Sequence, residues 1–406
     1  MRRSSPWLFL VIALLGTLIL REPRLQRADD FFQAWAMENS AAPLPPSPVT
    51  LVEIGHEDFR QMAPATAAKT GPESMAAHRS LSPLEYALFL QAVLDFEPAV
   101  IGLEPIIIWR DRDQSQEQVF IDQAMRVPKL LVAMELGEKG GRDLAAEDLP
   151  TFSRVTGPRS GLAQFSGISH RPDDDIRLIS TPGFTNLPTD RSDRIRVPML
   201  FEYRGEIVPS FPLQAIMLWL RATPSDVRIV LGSQISLPNG WKIPLHRDGT
   251  TTINPVAAGS VRRLTLNQLL LAAQERGSHR PATVDLNGLK DQIVLFRING
   301  DPLQPPNIFA ATIATIQSNA YVLPAPWFYD WCVIGVLAVA ALFVWRLSKG
   351  IAVMIALALS AAYLLTALGM LSQARVWLPM FLPLALLWIL VLIRLVMRLP
   401  TPVPNE

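Results

Sequence analysis

Three long apolar runs near the C-terminal end constrain this chain more than any other feature. They cover residues 327–345, 351–371 and 378–397 and are separated only by the polar breaks RLSKG and SQARVW. At about 1.5 Å of rise per helical residue, a run of about 20 residues spans roughly 30 Å of hydrocarbon. No run has the polar stripe of a helix at the surface of a soluble core. The sequence therefore predicts three transmembrane helices over residues 327–398.

The composition agrees with insertion into a bilayer and argues against nucleic-acid binding. Half of the 406 residues are hydrophobic, 18% are charged, and the mean hydropathy is +0.24. Lys and Arg (37) nearly balance Asp and Glu (36), so the chain lacks the basic excess that attracts nucleic acid. The single cysteine, Cys332, can form neither an internal disulfide nor a thiolate metal cage.

A fourth apolar run, residues 7–20, follows Met-Arg-Arg at the N-terminus. Its roughly 21 Å of helix suits the core of a signal peptide as well as a short membrane span. No small-x-small cleavage site follows it, because the chain continues Arg-Glu-Pro-Arg. We therefore expect an uncleaved anchor within residues 1–27, with a signal peptide as the alternative.

Basic residues predict the side of the membrane that each segment occupies, because cytoplasmic loops are enriched in Lys and Arg. This distribution places both termini, including the 399–406 tail, in the cytoplasm and residues 28–326 outside. Arg21, Arg24 and Arg27 oppose this orientation and are partly offset by neighbouring acidic residues. The residues that support it are Arg2, Arg3, Arg346, Lys349, Arg394 and Arg398.

Between the anchors, the sequence predicts an α/β domain with a mostly parallel sheet and flanking helices. A succession of strand, helix, strand, helix and strand favours parallel strands joined by right-handed crossovers. Ser82 is placed to cap the first helix and Pro83 to begin it. The predicted elements are a strand at 49–55, a helix at 82–97, a strand at 99–103, a helix at 115–127 and a strand at 130–134.

The remainder of the domain has a less regular pattern. Residues 195–209 predict a hairpin that turns at Arg204 and Gly205. Small, polar segments with Gly and Pro predict surface loops or insertions. These loops or insertions are expected at 60–80 and 137–165. The sequence also predicts a helix at 212–221, a strand at 292–296 and a helix at 307–320.

Motifs for enzymatic or metal chemistry are absent from the sequence. It contains no G-x-G-x-x-G or Walker-type phosphate loop and no G-x-S-x-G nucleophile turn. Its five histidines form no metal-binding pair, and the acidic run at 173–175 lacks the spacing of a calcium loop. The sequence therefore predicts that the chain is not an enzyme and uses no cofactor and no metal.

Acidic side chains at the ends of the predicted strands form the candidate ligand site. His56, Glu57 and Asp58 follow the first strand, Glu104 follows the second, and Glu135 follows the third. The carboxyl ends of parallel strands meet at one edge of a sheet, where open α/β folds bind ligands. These acceptors suit a small cationic or polyhydroxylated solute. The alternative is that they cap the following loops or face water.

Arg196 is the other candidate, and it lies between Ile195 and Val197 on a predicted strand. Its guanidinium group has five donors, which suit a ligand and equally suit a clamp on Asp190 or Asp193 within the fold. The sequence leaves both roles open.

Five phrases of the sequence occur in an order that is typical of one protein family. They are LVEIGHEDF at the first strand, Val100 to Glu104, DRSDRIRVPMLFEYRGEIVPSFPLQA at 190–215, IPLHRDGTTTIN at 243–254 and LKDQIVLFRING at 289–300. Together they resemble the CHASE2 family of bacterial extracytoplasmic sensor domains, over nearly all of residues 29–323. The resemblance implies a multi-pass protein of the bacterial inner membrane that senses a small extracytoplasmic ligand.

Departures from the family pattern concern residues close to the candidate site. The chain has Gly55 and Glu104 where an Asp is usual, and Arg297 where a strand Gly is usual, so its ligand chemistry is expected to differ. Only eight residues follow Arg398, and we therefore expect the output to come from a separate signalling or membrane protein. The alternative is a membrane scaffold, or a subunit of an envelope complex, that binds protein through the same domain. A homodimer is compatible with both.

Overall fold

The computed structural model describes residues 44–54, 81–109, 113–138, 148–187, 196–281, 283–299, 308–325 and 348–396, together with Leu144 and shorter pieces within 31–39 and 328–339. These residues belong to two compact units. The larger unit comprises residues 43–189 and 196–321. The smaller unit includes residues 322–406 and the helical residues near position 35.

The described strands of the larger unit are mostly short. They are β1 Val49–Ile54, β2 Val100–Leu103, β3 Leu130–Gly137, β4 Val155–Thr156, β5 Gln164–Phe165, β6 Gly167–His170, β7 Thr181–Phe184, β8 Arg196–Pro198, β9 Leu200–Tyr203, β10 Glu206–Pro209, β11 Arg228–Val230, β12 Gln234–Ser236, β13 Lys242–Pro244, β14 Thr250–Thr252, β15 Arg262–Thr265 and β16 Ile293–Ile298.

The described helices of the larger unit lie between these strands. They are α1 Pro83–Leu94, α2 Gln114–Met125, α3 Asp174–Leu178, α4 Phe211–Trp219, α5 Ala257–Ser260, α6 Leu266–Gly277 and α7 Ile308–Gln317. Every helix that the sequence predicts in this unit is present, with bounds that differ by at most three residues.

A seven-stranded sheet organises the larger unit, and most of its pairings are parallel, which confirms the predicted sheet. Its strand order is β15-β1-β16-β2-β3, and β3 pairs further with antiparallel β6 and parallel β7. Most residues of the central strands β1, β16, β2 and β3 are apolar. Other elements cover both faces of these strands, so neither face needs polar side chains.

Helices cover both faces of this sheet and enclose two apolar layers. The α1/α6 layer lies between the sheet and helices α1, α2 and α6, and it contains Val52, Phe89 and Phe296. The α4/α7 layer lies on the opposite face and contains Leu51 and Leu295. Successive residues of a strand point to opposite faces, so neighbours such as Leu51 and Val52 enter different layers.

Local signals in the sequence determine where α1 begins. The Ser82 side chain accepts a hydrogen bond from the backbone N–H of Glu85, and the Glu85 carboxylate accepts one from the backbone N–H of Ser82 at 2.6 Å. Pro83 occupies the first helical position, where a missing N–H costs nothing. The helix ends at Leu94, before the predicted end, and Glu97 has a φ of 52°.

The predicted hairpin is present and leads into a helix that approaches the sheet closely. β9 and β10 are antiparallel, and Arg204 and Gly205 both have positive φ, as a two-residue hairpin turn requires. α4 then packs on the sheet through Phe211. A Cβ atom at Gly183 would lie 2.9 Å from Phe211 Cδ2 and 3.0 Å from Phe211 Cα, so this crossing depends on glycine.

The prediction of a surface loop over residues 137–165 is wrong in part. This stretch carries β4 and β5, and it buries Leu149, Phe152 and Leu162. Its apolar residues are isolated among Gly, Pro and charged residues, so they give no periodic signal. The loop predicted at 60–80 lies outside the described residues.

The smaller unit contains α8 Lys349–Ala374, α9 Phe381–Val396, and the paired short strands β17 Leu323–Pro324 and β18 Val376–Trp377. Among the described residues, α8 is the one helix that is long and apolar enough to cross a membrane. It has 26 residues with a mean hydropathy of 2.3, whereas α9 has 16 described residues. The run at 7–20 lies outside the described residues and 327–345 is described only in pieces, so both spans stay predictions.

Candidate ligand site at the carboxyl edge of the sheet

Three charged residues lie side by side where neighbouring parallel strands end. Glu53 of β1 pairs in register with Arg297 of β16. Glu104 directly follows β2, and its backbone N–H donates to the carbonyl oxygen of Phe296 at 3.0 Å, which places Glu104 beside Arg297. We call Glu53, Arg297 and Glu104 the charged row.

All three side chains of the charged row belong to the same face of the sheet. Glu53 is two residues beyond Leu51, and Arg297 is two residues beyond Leu295. Glu104 is likewise two residues beyond Gly102, against which the Phe211 ring of α4 packs. Because strand residues alternate between faces, the row continues the α4/α7 layer at its carboxyl edge.

The charged row is largely removed from water. Glu104 is 1% exposed and Arg297 is 3% exposed, while Glu53 is half-buried. Charged groups in a core are costly unless they are paired and hydrogen-bonded. The row alternates acid, base and acid, so the Arg297 cation lies between two carboxyl groups. This arrangement lowers the free-energy cost of burying the charges.

Glu104 does not behave as an ordinary surface carboxylate. Burial raises its pKa from 4.5 to about 7, although the Arg297 charge lowers it and the Glu53 charge raises it further. The side chain therefore exists in both protonated and ionised forms near neutral pH. Any group that brings charge to this edge changes the balance between the two forms.

Two further polar side chains are buried at the start of α4. Ser210 is paired with Phe184, the last residue of β7, and is 2% exposed. Gln214, one helical turn later, is 4% exposed. Ser210 Oγ and Gln214 Oε1 have no hydrogen-bond partner among the described residues. Buried polar atoms of this kind are rare in native proteins and are common at functional sites.

The structure brings together only some of the residues that the sequence predicts for this site. Glu104 lies at the carboxyl edge as expected. Glu135 faces solvent and contacts His170 of the antiparallel strand β6 at 2.6 Å. Arg196 lies on β8, opposite Thr252 of β14, in a separate two-stranded sheet, so it is not part of the charged row. His56, Glu57 and Asp58 lie outside the described residues.

Glu53 and Arg297 are the members of this site that the sequence reasoning did not select. Each is the single charged residue of its strand, VTLVEI and IVLFRI. A charged residue in such a strand can be recognised in the sequence. It is unusual because a charged side chain in a buried parallel strand has no contact with solvent. The register that joins them to Glu104 depends on long-range strand pairing.

A separate polar cavity of about 340 Å³ lies on the other side of the unit, between α2 and α3. It is lined by Trp109, Glu117, Ile121, Asp173, Asp174, Asp175 and Ile176. Arg171 and Arg177 reach Asp174 at 2.9 Å and 3.5 Å, which partly neutralises its acidic wall. Acidic residues in the first turn of a helix such as α3 are also favoured by the helix dipole. No group of three or more metal-binding side chains occurs in the described part of the chain.

Comparison with known proteins identifies one family. The family model described as "CHASE2 domain" matches residues 8–298, which is more than half of the chain. A search of curated proteins and a search of solved structures each found no match.

Proposed function

Because the chain belongs to the CHASE2 family of extracytoplasmic sensory domains, we propose that it is a membrane-anchored sensor of the bacterial inner membrane. In this proposal the larger unit lies outside the membrane and responds to a small polar solute. The response then passes to a separate signalling or membrane protein. The chain itself performs no catalysis in this scheme.

Two observations support membrane anchoring. α8 has the length and hydropathy of a membrane span, with side chains such as Met354 and Leu365 more than 60% exposed on its surface. Large exposed apolar side chains on an apolar helix are stable in lipid and costly in water. The basic residues of the sequence favour an external position for the larger unit.

The charged row is the observation that carries the sensory proposal. Replacement of a buried ion network by apolar residues is often neutral or stabilising, so a need for stability does not by itself account for three charges here. The row lies at the sheet edge where α/β folds bind ligands. A solute that binds there and changes the charge of Glu104 alters the pairing of Arg297, which belongs to the strand before α7.

The proposed route to the membrane follows the chain from this strand. α7 is buried along most of its length, and the chain reaches β17 only a few residues after α7 ends. A shift of β16 and α7 is therefore expected to reach the smaller unit through a short connection. This is a rigid-body mechanism of the kind used by many sensors.

A cross-linking experiment tests whether the charge of Glu104 reaches the cytoplasmic side. A photoreactive amino acid is placed within the 346–350 loop of the full-length protein in cells. We expect a discrete cross-linked partner whose yield differs between wild type and Glu104→Gln. Glu97→Gln is the control, because Glu97 is an exposed carboxylate that pairs with Lys290 at 2.8 Å. An unchanged yield in Glu104→Gln would argue against sensing.

The scaffold is the second candidate function, and one observation favours it. The outer surfaces of α1, α2 and α6 expose Leu84, Leu88, Met125 and Leu271, each more than 40%. Exposed apolar side chains that cluster on one face mark protein-binding surfaces, although single ones are ordinary. Under this alternative the cross-linked partner is captured by the larger unit and its yield does not depend on Glu104.

A further inference from the structure

The helical residues near position 35 have an unusual distribution of side chains. Phe31, Phe32 and Trp35 are exposed by 70%, 41% and 54%. The opposite side of the same segment buries Gln33, Ala36 and Met37. At 3.6 residues per turn, the three aromatic side chains fall within an arc of about 100°. We call these three residues the aromatic face.

This segment exposes large aromatic residues of the kind that a helix in water buries. A helix on a soluble protein turns its large apolar residues inward and its polar residues outward. Here a polar Gln33 and a small Ala36 are buried while the three aromatic rings are outside. The described residues of the smaller unit leave Phe31 and Trp35 more than half exposed, which is more favourable in apolar surroundings than in water.

The position of the segment within the smaller unit indicates its depth. Ala36 and Met37 pack with Leu371, near the end of α8, and with Trp377 and Leu378, which follow it. The ring of Phe32 lies 6.5 Å from that of Phe381, the first residue of α9. The segment therefore lies level with the turn between two apolar helices, where a membrane helix meets the headgroups.

The two helices beside this segment also expose large apolar side chains. Leu365 of α8 is 71% exposed and Leu392 of α9 is 56% exposed. Trp and Phe side chains are favoured at the boundary between headgroups and acyl chains, and helices of this kind lie in the interface plane. The segment packs at the end of α8, which has the length and hydropathy of a membrane span, and this position favours lipid over a protein partner as the occupant.

We infer that the aromatic face docks into the outer phospholipid boundary of the membrane, so that the segment lies along the bilayer surface. This inference rests on the proposed membrane anchoring and adds a second, interfacial attachment beside the spans. The attachment holds the segment beside the β17–β18 pair of the same unit, since Met37, Val322 and Trp377 belong to the same apolar cluster.

Spin-label accessibility tests the inference in the full-length protein. Single cysteines are introduced by Phe31→Cys or Trp35→Cys in a Cys332→Ser background, labelled with a nitroxide, and reconstituted into phosphatidylethanolamine/phosphatidylglycerol vesicles. Collisions with oxygen and with a water-soluble nickel chelate report depth. Two controls, Leu365→Cys in α8 and Leu178→Cys in the larger unit, mark lipid and water, and Leu178 is 75% exposed.

We expect labels at 31 and 35 to favour oxygen over the nickel chelate, at a depth between the two controls. Equal access of the chelate to positions 31, 35 and 178, with position 365 protected, would overturn the inference and leave membrane anchoring intact. Access of the chelate to position 365 as well would overturn both. Protection of positions 31 and 35 from both reagents, with spin–spin broadening, would instead identify a second copy of the chain as the occupant.

Discussion

At the scale of single residues, Glu104 determines much of the chemistry of the candidate site. Its carboxyl group is buried, and its pKa is about 7. Burial raises this pKa by more than the positive charge of Arg297 lowers it. A raised pKa means that the folded protein binds this proton more tightly than the unfolded chain. The contribution of Glu104 to stability is therefore complete below about pH 4.5 and is lost as the pH rises through about 7.

The Glu104→Gln variant tests this pH dependence. Gln has nearly the shape of Glu but cannot ionise. The wild type loses stability as Glu104 ionises, so the stability of the variant relative to wild type should rise between pH 4.5 and 8. The shift in pKa corresponds to roughly 3 kcal/mol. Thermal midpoints of the full-length protein in phospholipid nanodiscs measure the difference. Glu97→Gln is the control, because Lys290 lowers the pKa of Glu97, so the effect of this variant should vary with pH only at acidic pH and stay constant near neutrality. A difference that does not vary with pH would contradict the burial of an ionisable Glu104.

The crossing of α4 over the sheet gives a second prediction for a single residue. A Cβ at Gly183 would meet Phe211 Cα at 3.0 Å, and backbone cannot move aside as a side-chain end can. We expect Gly183→Ala to destabilise the protein by about 1–3 kcal/mol. Gly259→Ala is the matched control, because no atom lies within 4 Å of the added Cβ. Equal thermal midpoints for the two variants would show that α4 is not tightly seated.

At the scale of elements, the sequence predicts best where local signals and periodicity agree. α1 is predicted from Ser82, Pro83 and an apolar run, and β1 and β16 from continuous apolar residues. The three-residue strands β11 to β13 are too short to produce a periodic pattern. Pairings such as β1 with β15 join distant parts of the chain, so no local signal predicts them. The register that joins Glu53 and Arg297 to Glu104 was missed for the same reason.

The connection between the two units yields a prediction about an element. Leu323 N–H donates to the Arg375 carbonyl at 3.0 Å, and Ala325 N–H donates to the Trp377 carbonyl at 2.8 Å. Pro324 lies between these donors, at a position where its missing N–H breaks no pairing. Replacing residues 321–326 by a Gly/Ser linker should abolish the effect of Glu104→Gln on cross-linking from the 346–350 loop. Persistence of that effect would show that coupling does not run through this connection.

At the scale of the whole molecule, the proposed topology puts the larger unit outside the membrane. Four predicted spans and the basic residues put residue 150 outside and residue 406 in the cytoplasm. Alkaline phosphatase and fluorescent protein fusions at these two positions should therefore report opposite sides. The same side for both would refute an odd number of spans after residue 150.

We propose that a change in the charge of the charged row alters the structure of the chain where it approaches the membrane. Amide hydrogen exchange of the full-length protein in phospholipid nanodiscs measures this directly, at a pH above 7 where Glu104 is mostly ionised. We predict that Glu104→Gln changes exchange in peptides covering residues 308–325 as well as in β1, β2 and β16, whereas Glu97→Gln leaves residues 308–325 unchanged. A change confined to the three strands, with residues 308–325 identical to wild type, would contradict it.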